Sequence, residues 1–294
     1  MKMNLDCIPC FQKQALKALQ MNGQNEKTQE KALRRVMKCL IELDWSLTPP
    51  ELAHNVHRIV REETGIEDPY KEVKKNCNDI ALNMLPMIKK KIDATPDSLE
   101  TAIRISIAGN IMDFGPTEGN FDVERTIEDI MHRNFSIYDY EKFKEKIKSS
   151  RNVLFFTDNA GEIAFDRLLI ETILKNQKEA GIENINVTVV IKGGPIINDA
   201  TMGDAAYVGM ESIPLVEFKA IDNGDTGTGP VRNSKEVKTW IENHDLVISK
   251  GQGNYEGLSQ FKNIFFMLIA KCNVIASDLG VNKDDIVLKY SKEQ

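Results

Sequence analysis

The chain of 294 residues is long enough to bury a substantial core in one or two domains. Its 38 basic and 44 acidic residues leave a net charge of −6. That balance excludes a general nucleic-acid binder, whose affinity would come from a basic surface. No apolar run approaches the roughly 18 residues that span a bilayer, and the segment before Cys7 lacks the apolar stretch of a signal peptide. Five scattered cysteines form no disulfide framework, so a reducing cytoplasm and no membrane partner are expected.

In chain order, residues 1 to about 147 read as helix after helix. Phe11, Ala15, Leu16 and Leu19 share one stripe, and Ala32, Val36, Leu40 and Ile41 recur at helical spacing in the next segment. Thr48-Pro49-Pro50-Glu51 is a helix start, with a capping hydroxyl, prolines in the first turn and Glu51 at the third helical position. Further helices are expected near 69–91, 97–111, 123–133 and 138–148, and no strand is expected in this half. At Asn152 the pattern changes. Val153 to Phe156, Val187 to Ile191, Leu246 to Ser249, Ile264 to Ile269 and Val274 to Ala276 are short apolar runs, alternating with helix-like segments. These imply a parallel sheet buried on both faces. The expected architecture is an all-helical domain over 1–148 and a three-layer α/β/α, Rossmann-like domain with a mostly parallel sheet over 149–294.

Polar and glycine-rich clusters follow three of these strands, and ligands of open parallel sheets bind beyond the carboxyl ends of the strands. One shared site is therefore predicted. The first cluster, Asp158-Asn159-Ala160-Gly161-Glu162, offers hard oxygen ligands for a divalent ion, before a helix whose free N–H groups would face an anion. Asp and Asn are also favoured as helix caps. The second, Lys192-Gly193-Gly194-Pro195 with Asn198-Asp199, adds a mobile cation for phosphate and another hard ligand, or again a cap. In the third, Lys250-Gly251-Gln252-Gly253-Asn254-Tyr255, the glycines fit neither a P-loop nor a dinucleotide fingerprint.

Other candidates are weaker. Asn110 and Asp113 end an apolar helix and either face the cleft or cap it. Cys7 and Cys10, with Cys77 a possible third member, fit a metal or redox site no better than a buried apolar helix face. His54 and His57 read as a helix face, and no serine-hydrolase elbow is present.

The three clusters in this order, together with Gly109-Asn110-Ile111-Met112-Asp113 and the N-terminal Cys-x-x-Cys, resemble the damage-control phosphatases. That family was long catalogued as domain of unknown function 89, and this chain looks like its compact archaeal and bacterial branch. The resemblance covers nearly the whole chain. It implies a metal-dependent phosphatase, with Asp158, Asn159 and Asp199 as metal ligands. It also implies that Asn223, Lys250 to Asn254 and Lys283 line the phosphate or sugar part of the pocket, with Glu162 and Asn110 nearby. The eukaryotic branch carries Arg-Thr-x-Lys where this chain has Gly280-Val281-Asn282-Lys283, so that branch's substrate preference does not transfer.

The expected reaction is hydrolysis of a phosphomonoester of a small metabolite, either a sugar phosphate or a damaged phospho-metabolite, with Mn, Mg, Co or Ni as the ion. Lys250 and Lys283 would hold phosphoryl oxygens, and either water or the Asp158 carboxylate would attack. The competing readings are a carboxylate methyltransferase, a metal- or sugar-phosphate-binding regulatory module without turnover, and a Cys-x-x-Cys redox protein.

Overall fold

The structure, a computed structural model, describes residues 1–110, 123–221 and 235–291. It opens with three helices, α1 (Cys7–Met21), α2 (Glu26–Glu42) and α3 (Pro49–Thr64). Their shared core holds Phe11, Ala15 and Leu19 against Ala32, Val36 and Leu40, closed by Leu52, Val56 and Val60. Local signals set the starts: Asn25 caps α2 by accepting from Thr28 N–H, and Thr48 with Glu51 forms the expected capping box of α3. The predicted α2 stripe holds at Leu40 but not at Ile41, which is 80% exposed. The core stripe is narrow, and Ile41 falls outside it.

The chain continues through α4 (Lys71–Ala94), α5 (Ser98–Gly109), α6 (Val123–His132), β1 (Phe135–Tyr138) and α7 (Tyr140–Ile147). The alternating part follows: β2 (Asn152–Phe156), α8 (Glu162–Glu179), β3 (Asn186–Lys192), α9 (Met202–Tyr207), β4 (Val216–Ile221) and α10 (Lys235–Glu242). It ends with β5 (Leu246–Lys250), α11 (Gln252–Leu258), β6 (Ile264–Ile269), α12 (Asn273–Leu279) and β7 (Ile286–Tyr290). The seven strands lie in the order β1-β7-β6-β5-β2-β3-β4, parallel except for the β6–β7 pair.

The two-residue period of the strands sorts the core into two layers. Val153, Phe155, Ile248 and Phe265 face one layer, packed with α4, α5, α7 and α8. Leu154, Phe156, Val247 and Phe266 face the other, packed with α10, α11 and α12. Both faces are covered, as the continuous apolar runs imply.

Three strands depart from expectation. β1 lies in the half expected to be purely helical and pairs with β7, so the sheet takes in chain from before residue 148. β4 and β7 are further strands that the apolar runs did not mark. Val274 to Ala276, expected as a strand, lies in α12, where Ile275, Ala276 and Leu279 turn one helical face to the core. Three apolar residues are too few to separate the two periods.

Topology sets the site. From β2 the chain moves outward to β3 and β4, then returns to the other side of β2 as β5 and continues to β6. The order reverses between β2 and β5, and such a switch point opens a crevice at the strands' carboxyl ends.

Candidate active site

Asp158 and Asn159 follow β2 directly, and the 196–201 segment after β3 folds back against them. Asn159 forms an isolated antiparallel bridge with Asp199. Asn198 carbonyl accepts from Ala160 N–H at 2.9 Å, and Asp158 carbonyl accepts from Ala200 N–H at 2.8 Å. Two strand ends are thereby stitched together by backbone, which puts Asp158, Asn159 and Asp199 on the wall of one cavity of about 450 Å³.

The Asp158 carboxylate is held from below. Asn110 Nδ2, at the C-cap of α5, donates to Asp158 Oδ2 at 2.7 Å and to Glu162 Oε2 at 2.8 Å. Asn159 Nδ2 donates to the same two oxygens at 2.8 and 3.0 Å. With its amide nitrogen turned inward, Asn159 has its carbonyl oxygen left to offer an ion. With the Asp158 and Asp199 carboxylates it would make a set of hard oxygen donors suited to a divalent cation. Among the described residues, no three His, Cys, Asp or Glu side chains gather to hold an ion by themselves; this set needs the Asn159 amide as its third member.

Gly251, just after β5, lies across the crevice at φ +77°, and a Cβ there would overlap the Asp158 carboxylate. Its φ is already unfavourable for an L side chain, so Gly251→Ala combines strain with displacement of Asp158. We expect Gly251→Ala to lower kcat by roughly 100-fold, the order that a 1 Å misplacement can cost. Its stability loss should be about 1–3 kcal/mol, measured by urea unfolding.

Lys250 stands elsewhere than expected. The strand period that sends Leu246 and Ile248 toward α5 and α8 carries Lys250 the same way. Its Nζ donates to Asp166 Oδ1 at 2.6 Å, Glu162 Oε1 at 2.7 Å and Ser106 carbonyl at 2.9 Å. Lys250, Glu162 and Asp166 have no exposed surface, so the ammonium lies beneath the cavity wall and does not line the cavity. Burial lowers the Lys250 ammonium pKa, but Asp166 and Glu162 together lift it above its ordinary value. Burial raises the Asp166 carboxyl, and the Glu162 charge adds to that rise against the pull of Lys250.

The remaining expected residues divide. Lys192, Asn254 and Lys283 line the cavity; Asn110 and Glu162 bond to the Asp158–Asn159 wall from behind, and Gly251 packs against the Asp158 carboxylate. Lys192 Nζ pairs with Asp199 Oδ2 at 3.5 Å. Asn254 Nδ2 donates to the carbonyls of Thr157 and Lys250, each at 2.8 Å, and so ties the end of β2 to the end of β5. Asn223 and Asp113 lie outside the described residues. The start of α8 is engaged rather than open: Gly161 N–H donates to Asn78 Oδ1 at 2.6 Å and Ile163 N–H to Asn159 carbonyl at 3.1 Å. Two of the N–H groups expected to face an anion are thus already partnered.

The opposite wall comes from α1 and α3, through Cys7, Cys10, Phe11, Pro49, Pro50 and His54. Cys272, not Cys77, is the third cysteine there; Cys77 is buried beneath Gly161. Burial raises the Cys7 and Cys10 thiols above their ordinary range, aided by Glu256 and Cys272. His57 is buried beside Gln14 and Tyr70, where burial lowers its pKa to about 4.

Glu256, on the same cavity, is raised to about 7, first by burial, against opposing contributions from Gln252 and the chain's N-terminal ammonium. A carboxyl raised in the folded state adds stability below its ordinary pKa, and that stability is lost as pH climbs from about 4.5 through about 7. Glu256→Gln should flatten this decline, leaving the variant more stable than the parent at pH 8 in urea titrations.

Asp166, Ser106 and Asn78 escaped the sequence reading. Glu162 and Asp166 did leave a sign, as two carboxylates four residues apart among Ile163, Ala164, Phe165 and Leu169 on a buried helix.

The chain is 35% identical to a damage-control phosphatase from Archaeoglobus fulgidus over 98% of this chain and 99% of that one. It is 31% identical to a damage-control phosphatase from Pyrococcus horikoshii over 99% of both chains. The crystal structure of a domain-of-unknown-function 89 protein from Pyrococcus horikoshii superposes with a TM-score of 0.85 at 30% identity, covering 99% of this chain and 100% of that one. The family model for the damage-control phosphatase ARMT1-like domain matches residues 3–287. The chain thus belongs to the damage-control phosphatase ARMT1-like family.

Proposed function

We propose that the protein is a divalent-metal-dependent phosphatase of small phosphorylated metabolites, with its reaction centre at the β2–β5 switch point. The observation that carries this reading is the meeting of Asp158, Asn159 and Asp199, brought together by the Asn159–Asp199 bridge, beside Lys192 in one cavity. A divalent ion held by these three oxygen donors would polarise a phosphoryl oxygen and offset developing negative charge.

The chain's own residues do the rest. Asn110 and Asn159 fix the Asp158 carboxylate through its Oδ2. Lys192, tethered to Asp199, and Lys283 at the exposed rim supply the cations that draw in and orient a phosphate dianion. The buried Lys250 acts as a positioning residue, because it holds Glu162 Oε1 while Glu162 Oε2 receives both amides. The cavity's remaining volume, walled by α1 and α3, accommodates a leaving group much larger than phosphate. Among the described residues no helix is long and apolar enough to cross a membrane.

The test is phosphate release from sugar phosphates and an aryl phosphate, first after chelation and then with Mg²⁺, Mn²⁺, Co²⁺ or Ni²⁺. Release that requires added metal is the expected result. Silence with every ion, while metal still binds, would favour the binding-module reading.

A further inference from the structure

The 196–199 segment that carries Asp199 is a tight turn, closed by Asp199 N–H donating to Ile196 carbonyl at 3.0 Å. Its second residue, Ile197, is held at φ +46°. Glycine, asparagine or aspartate normally fills such a position, because left-handed backbone is a rare outlier for a β-branched side chain. Local chemistry does not account for the turn. Asn198, the residue type best suited to hold it, is 2% exposed, and neither of its amide atoms has a hydrogen-bond partner among the described residues. Strain of this kind persists only where the surrounding structure imposes it.

The surroundings that impose it belong to the far wall. Ile197 is half-buried against the core that α1, α2 and α3 share, which includes Phe11, Leu52 and Tyr70. Two residues earlier, Pro195 carbonyl accepts from Arg61 Nη1 of α3 at 3.0 Å. The turn therefore faces two ways: Ile197 packs on the helical core, and Asp199 lines the cavity with Asp158 and Asn159. Backbone bonds fix the cavity side, from Ala160 N–H to Asn198 carbonyl at 2.9 Å and from Ala200 N–H to Asp158 carbonyl at 2.8 Å. Held at both faces, the turn has little freedom of its own. Loss of the apolar anchor would let the strained backbone relax, and Asp199 stands two residues from it.

We propose that Ile197 is a positioning residue that keys the Asp199 turn into the α1–α3 core. The helical unit then does more than wall the cavity, because it sets the place of one ion ligand. The inference rests on the ligand set proposed above and goes beyond it, assigning a part in ion binding to a side chain that offers the ion no donor atom.

The probe is Mn²⁺, titrated calorimetrically into the full chain after chelation, with the melting temperature of each metal-free variant measured beside it. Ile197→Ala should weaken Mn²⁺ binding roughly 10-fold, the lower end of the loss expected when a residue that orients a ligand is removed. Ile197→Val, which keeps the branched apolar side chain, should stay within about threefold of the parent. Val36→Ala, in the same core but on α2, should melt earlier than the parent and bind Mn²⁺ as the parent does. Should Ile197→Ala fail to fold, Ile197→Gly carries the same expectation, since glycine accepts φ +46° without strain. A parent-like affinity in the alanine or glycine variant, or an equal weakening in Val36→Ala, would overturn the proposal and leave Ile197 a packing residue. Failure of the ligand set looks different: the parent itself shows no saturable Mn²⁺ binding, or Asp199→Ala leaves that binding unchanged, and the proposal falls with it.

Discussion

Asp158→Ala should slow metal-dependent phosphate release by roughly 1000-fold or more while leaving the fold intact. The loss follows from removing one of two carboxylates in the proposed three-donor set, together with the group that Gly251 packs against. Fold retention follows from the hydrogen bonds beneath it. Asn110 Nδ2 and Asn159 Nδ2 each donate to Glu162 Oε2 as well as to Asp158 Oδ2. Removing Asp158 therefore leaves neither amide without an acceptor. The backbone contacts of residue 158, including its carbonyl bond from Ala200 N–H, survive the change. The melting temperature without metal should stay within about 4 °C of the parent, which corresponds to about 1 kcal/mol for a chain of this size. Stabilisation by added Mn²⁺ should shrink or vanish, because binding to the folded state alone is what raises it. Retention of most activity would remove Asp158 from the reaction.

Lys250→Met should be the most destabilising single change. It takes the ammonium from between Glu162 and Asp166, both without exposed surface, and leaves two buried carboxyls with no cation. Breaking such a group by removing one partner costs about 3–5 kcal/mol, a fall in melting temperature of about 10 °C. Had Lys250 gripped phosphate at the surface of the cavity, its removal would slow turnover and barely touch stability. The two readings thus separate in one melting curve. A second variant sharpens the test: Lys250→Met with Glu162→Gln and Asp166→Asn should recover much of the loss, because neutral amides need no counter-charge. The deficit of Lys250→Met should also narrow at acid pH, where the stranded carboxyls protonate. An equal deficit at pH 5 and pH 8 would mean that lost packing, not charge, explains it.

Both expectations show which parts of the molecule can be read from sequence. β2, β3 and β5 are continuous apolar runs, and a strand buried on both faces needs nothing else to announce it. The clusters after them contain Asp158, Asn159 and Asp199, so the residues that meet at the crevice were legible together. β1 is four residues long and β4 is half-exposed at the sheet's edge, so neither carries a strong apolar run. The direction of Lys250 was present in the chain and passed over. It stands two residues from Ile248 and four from Leu246, hence on their face of the strand and under the wall rather than in the cavity.

The far wall was not legible, for a different reason. Phe11, Pro49 and His54 meet Asp158 and Cys272 only because the α1–α3 unit packs over the strand ends, with α3 against α11. Docking of that kind depends on the shapes of two finished surfaces and leaves no local spacing to find. The same holds for Cys272, whose meeting with Cys7 and Cys10 joins residues more than 260 positions apart in sequence. Asn198 is the intermediate case. Its position after β3 marks it as a loop residue, but only the structure shows that its amide is buried without a partner.

The most direct test of the central claim is anomalous diffraction from crystals of the parent protein soaked in Mn²⁺. One strong peak within bonding distance of Asp158, Asn159 and Asp199 oxygens, absent in Asp158→Ala crystals, is the predicted result. Manganese bound elsewhere in the cavity, or a peak that persists in Asp158→Ala, would contradict the ligand set and with it the chemistry assigned to the β2–β5 crevice.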